Sequence, residues 1–90
     1  MGTAVVKIKI MPNSPESDLK SIKDKAGTLI KKEGGMNANF MEEPIAFGLK
    51  AIFTSFAWPE EKELEVLEKK LVKIKDVKSA EVSDIRRAIG

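Results

Sequence analysis

Ninety residues with sixteen basic and fourteen acidic side chains leave a net charge of +2. That is room for one domain, and too little charge to argue for nucleic acid or an anionic membrane by bulk electrostatics. Cysteine, histidine and tyrosine are all absent, which excludes disulfides, thiolate zinc sites and a cysteine nucleophile and removes the commonest metal ligand and general base. The hydrophobic share of 42% and charged share of 33% belong to a folded domain, and the three missing residue types favour a binding or regulatory role over a conventional enzyme. Apolar runs are only a few residues long, so no membrane span is expected. Met1 leads almost directly into a strand-like segment without the pattern of a signal peptide, which makes a cytoplasmic protein the expectation.

The first element is Ala4–Ile10, where Val6, Ile8 and Ile10 alternate onto one face of a half-buried strand. Pro12-Asn13-Ser14-Pro15 ends it, with Ser14 placed to cap a helix whose first position is Pro15. Leu19, Ile22, Ala26, Leu29 and Ile30 then form one helical stripe, and Gly34-Gly35 stops it. Asn37–Glu43 reads as a second strand closed by Pro44, and Ile45-Ala46-Phe47-Gly48 as a short connection. A third strand, Leu49–Ala57, is apolar on both parities. Trp58-Pro59 ends it, with Pro59 positioned to open a second helix striped by Leu64, Leu67, Leu71 and Ile74. A fourth strand, about Ala80–Ile85, precedes a basic tail beginning at Arg86-Arg87.

The order βαββαβ with two amphipathic helices predicts an α+β, ferredoxin-like two-layer sandwich over residues 1–90. Its antiparallel sheet would run 4-1-3-2, with both helices on one face. That topology sets Pro44–Gly48 at one end of the sheet and Arg86-Arg87 at the other, roughly 30 Å away for a nine-residue strand. If Val6, Ile8, Leu49 and Phe53 face the helices, Ile52, Phe56 and Trp58 face outward as an apolar patch. Phe47 either folds back to cap the core or stands out as an anchor for a partner's pocket.

The block Glu42-Glu43-Pro44-Ile45-Ala46-Phe47-Gly48-Leu49, joined to Glu81-Val82-Ser83-Asp84-Ile85-Arg86-Arg87, resembles the archaeal elongation factor 1-beta family along essentially the whole chain. The resemblance implies a guanine-nucleotide exchange factor for elongation factor 1-alpha, working during polypeptide elongation without covalent chemistry and without a cofactor. It also implies that Pro44, Ile45, Ala46, Phe47 and Gly48 touch the GTPase, with Phe47 as the aromatic anchor. A basic residue near the carboxy terminus, Arg86 or Arg87, would disturb the magnesium-binding region of the nucleotide site. The expected partner is therefore a GTPase, with no direct nucleic acid or membrane contact, and a monomer when free.

Two rival readings share the element order. An RNA-recognition module would need stacking rings on its central strands, and the first strand has none. A small-ligand regulatory domain would need a glycine-rich ligand loop, which the chain lacks.

Overall fold

The computed structural model describes residues 2–87; the predicted tail residues Ala88, Ile89 and Gly90 lie outside them. Four strands, β1 (Thr3–Pro12), β2 (Met36–Pro44), β3 (Lys50–Pro59) and β4 (Val77–Arg87), alternate with helices α1 (Leu19–Glu33) and α2 (Leu64–Val72) in the predicted order. The sheet runs β2-β3-β1-β4 with every neighbour antiparallel, the expected ferredoxin-like arrangement. β1 and β2 therefore point one way and β3 and β4 the other.

Between sheet and helices lies the core. Val6, Ile8 and Ile10 of β1 meet Ile22, Ala26 and Ile30 of α1 and Leu67 and Leu71 of α2, all almost fully buried. Leu19, Leu29 and Leu64, also expected inside, are only partly buried at the margins of this cluster.

The face assignment of β3 is reversed from expectation. Val6 pairs with Phe56, Ile8 with Thr54 and Ile10 with Ile52, so Ile52, Phe56 and Trp58 sit under the helices. Phe53 stands opposite Lys9 on the open face, with the Lys7 ammonium 5.0 Å from its ring centre. There is accordingly no outward patch of Ile52, Phe56 and Trp58. Both parities of β3 are apolar, so its own sequence is neutral, and pairing with strictly alternating β1 decides the matter. The register also buries Thr54, whose hydroxyl has no hydrogen-bond partner among the described residues.

Both helix starts fall later than predicted. Ser14 does not cap α1; its hydroxyl accepts from the Glu16 amide in a local turn, and Asp18 caps the helix by accepting from the Ser21 amide at 3.2 Å. Pro59 closes β3 instead of opening α2. Trp58 donates its ring N–H to the Lys62 carbonyl at 3.1 Å, shaping the lead into Leu64. Gly34 does end α1: it adopts φ 111°, and Gly35 donates to the Ile30 carbonyl at 2.8 Å.

Candidate functional site

At the end where β2 hands over to β3, Pro44 pairs with Lys50, and Ile45 donates its amide to the Leu49 carbonyl at 2.8 Å. Ala46–Gly48 forms a single tight turn closed by the Leu49 amide on the Ala46 carbonyl at 3.3 Å. Two successive residues take positive φ, Phe47 at 64° and Gly48 at 74°, as the central pair of a type I′ turn requires. Glycine adopts this freely. For a side chain as large as phenylalanine the left-handed region costs on the order of 1–2 kcal/mol.

The strain has a visible consequence. The Phe47 ring is 92% exposed and projects from the end of the sheet. Phe47 is thus not a cap on the core, and the sequence alternative of a residue folded inward falls away. Pro44, Ala46 and Gly48 beside it are exposed, with Ile45 half-buried. Pro15, from the β1–α1 loop, flanks the turn 3.9 Å from where a Cβ on Gly48 would stand.

One residue back from Glu43, Glu42 forms an ion pair with Lys23 of α1. The Lys23 hydrogen bond holds the Glu42 carboxyl below the usual carboxylate range. This pair ties the root of the turn to the helical layer.

At the opposite end, Arg86 and Arg87 do not form a tail leaving the sheet. β4 continues through them, pairing Arg86 with Val5 and Arg87 with Ala4. Strand alternation sends the two guanidinium groups to opposite faces. On the open face Arg86 Nε lies 3.0 Å from Asp84 Oδ2; on the helical side Arg87 Nε lies 2.9 Å from Glu60 Oε2. Both arginine side chains are more than four-fifths exposed. A carboxylate from outside could replace either partner without a buried charge being stranded.

The structure thus brings Pro44–Gly48 together in one turn and keeps Arg86 and Arg87 apart from it, at the far end of strands about ten residues long. The molecule's longest extent is 41 Å. Near the arginine end, Glu33 accepts from Lys70 Nζ at 2.7 Å, and that hydrogen bond draws the Glu33 carboxyl downward in pKa; the nearby Lys62 and Lys32 ammonium groups add to the effect.

Sequence reasoning missed Glu60, whose link to Arg87 is long-range and leaves no local signal. Asp84 was more legible, since residues two apart on a strand share a face and Asp84 and Arg86 have opposite charge. Among the described residues no grouping of three acidic side chains could hold a metal ion, and no helix is long and apolar enough to cross a membrane. Among the described residues the open face of the sheet carries one aromatic, Phe53, and its ring is partly engaged by Lys7.

Residues 5–88 match the family model described as the EF-1 guanine nucleotide exchange domain. The chain is 40% identical over 88 residues to elongation factor 1-beta of Methanosarcina barkeri, covering 97% of this chain and 99% of that protein. It is 37% identical over 89 residues to elongation factor 1-beta of Methanocaldococcus jannaschii, covering 98% and 100%. With the protein of the same name from Methanococcus vannielii it shares 34% identity over 86 residues, covering 94% and 97%.

Proposed function

Because the chain belongs to the family of EF-1 guanine nucleotide exchange domains, we propose that residues 1–90 act as one exchange domain, promoting replacement of GDP by GTP on translation elongation factor 1-alpha. The observation that carries the reading is the Phe47 ring, 92% exposed on a strained turn. A soluble fold that served only itself would gain by putting a small or polar residue there. An aromatic held out at a cost is the form of a preorganised anchor.

The mechanism needs no covalent step. Phe47, with Pro44, Ile45, Ala46 and Gly48 around it, docks on one part of the GTPase. The rigid sheet then presents Arg86 and Arg87 to the nucleotide site. GDP is held there through its phosphates and a Mg²⁺ ion whose charge offsets theirs. A guanidinium repels that ion and can fork onto a carboxylate that would otherwise bind it. Tighter binding to the nucleotide-free GTPase than to the loaded one is what speeds release.

Release of fluorescent GDP from elongation factor 1-alpha, measured with and without the protein, tests the reading. Faster release with the protein, opposed by high Mg²⁺, is the expected result. An unchanged release rate at saturating protein would overturn it.

A further inference from the structure

Below the lead into α2, the helical layer stops short of the sheet. β4 runs on to Arg87 and β1 begins at Thr3, while α2 starts only at Leu64. The last rungs of these strands are therefore left with a recess of about 230 Å³ on the helical side. Leu64 and Ile85 line it over a floor of buried Ala4, Val6 and Trp58, with Glu60, Lys62 and Arg87 around its mouth.

Several features mark the recess as more than a fold irregularity. Ile85 points toward the covered face, opposite buried Val6, and yet is 53% exposed. Its wall is braced: Trp58 is hydrogen-bonded to the Lys62 carbonyl, and the Glu60 amide donates to Gly2 at 3.0 Å. The Glu60 side chain lies so close to Gly2 that a Cβ there would overlap its carboxylate. Glu60 is thereby held where it pairs with Arg87 across the mouth. The volume lies below the range of small-molecule sites, about 300–1,000 Å³, and over its buried floor the recess is a shallow seat for one side chain.

We propose that this recess is a socket for an apolar side chain of the GTPase's nucleotide-binding domain, one lying next to the carboxylate that Arg87 takes in exchange for Glu60. The inference rests on the reading above that this end of the sheet meets the GTPase. It adds a hydrophobic contact beside the cation and selects Arg87, which shares the helical side with the recess, over Arg86, which lies on the open face. Charge complementarity supports the occupant: an arginine already paired at the mouth accepts a competing carboxylate, and the adjoining apolar walls accept its neighbour. Insertion also buries the exposed part of Ile85, which free protein leaves in water.

The test compares GDP release from elongation factor 1-alpha across a concentration series of wild-type protein, Ile85→Glu, Ala4→Met and, exposed at the far end of α2 from the recess, Val72→Glu. Ile85→Glu places a charge in the socket wall and Ala4→Met fills the socket. Each is expected to raise the half-saturating concentration roughly tenfold, equivalent to about 1.4 kcal/mol, while Val72→Glu follows the wild-type curve. Melting curves run alongside show which variants are folded. If Ala4→Met does not fold, Ile85→Glu decides alone, since Ile85 is half-exposed. Folded Ile85→Glu matching wild type would overturn the socket. Wild-type protein that fails to accelerate release would instead overturn the exchange reading itself, a result visible before any variant is added.

Discussion

The two ends of the sheet hold side chains out into solvent by different means. At the β2–β3 end the backbone does the work: a left-handed turn closed by local hydrogen bonds fixes an apolar ring in water. At the β4 end regular strand pairing does it, and alternation alone gives the two arginines different faces and different carboxylate partners. Strain is local and can be relieved by one substitution. Register is collective, so the arginines keep their positions unless the strand itself is lost.

The largest effect is expected from the arginine end. Arg86→Ala and Arg87→Ala together should reduce stabilisation of the nucleotide-free complex by about 2–5 kcal/mol, as when one partner of a desolvated charge pair is truncated. Melting should shift little, because both side chains are exposed. The single variants, compared in GDP-release assays, divide the effect between the faces; a dominant loss in Arg86→Ala would contradict the assignment of Arg87.

Phe47→Ala comes next, weakening the affinity for nucleotide-free GTPase by roughly 1–4 kcal/mol. Since the ring is outside the core, the melting temperature should stay near wild type. A steep fall in melting with the folded fraction binding normally would break the contrast between the ends.

Phe47→Gly sharpens it further. Glycine takes φ 64° without steric cost, so the variant should lose the anchor and yet gain about 0.5–1 kcal/mol in stability, the left-handed penalty offset in part by chain entropy. Denaturant midpoints measure this. No residue at the arginine end should show such opposite signs for binding and stability.

Much of this was legible beforehand. Element order, sheet order and the stripes of Ile22, Ala26, Ile30, Leu67 and Leu71 follow from periodicity, and the placement of Phe47 and the arginines at opposite ends follows from topology. The face of β3 was not, because Ala51, Ile52, Phe53, Phe56 and Trp58 give no preference until β1 pairs with them. Pro15 and Pro59 were misleading for one reason: proline fits a helix start and also a turn or a strand end, and only the hydrogen bonds of Ser14, Asp18 and Trp58 distinguish these. Arg86 and Arg87 lacked a strand pattern because they sit on an edge strand, where charge is favoured on both faces.

The smallest expected effect is that of acid. Glu42 near the turn and Glu33 near the arginine end both have carboxyl groups lowered by a lysine hydrogen bond. Groups depressed in the folded state contribute stability that is present above the unfolded carboxylate value, about 4.3, and lost as pH falls through the lower folded values. Melting temperature should therefore be flat from pH 7 to about 5 with respect to these groups and decline below about 4.3. Lys23→Met and Lys70→Met should each flatten that decline, the first through the Glu42 pair and the second through Glu33.

The sheet order has a mechanical consequence. Phe47 hangs from the junction of β2 and β3, and Arg87 from β4, with β1 between β3 and β4. A pull between these points runs along the strands, at right angles to the hydrogen bonds of the ladders. The bonds are then loaded side by side in shear and share the force, whereas a pull across the sheet would open them one at a time. A body grasped at these two places transmits a push from one to the other with little give, and a GTPase held at both would have to yield before its visitor did.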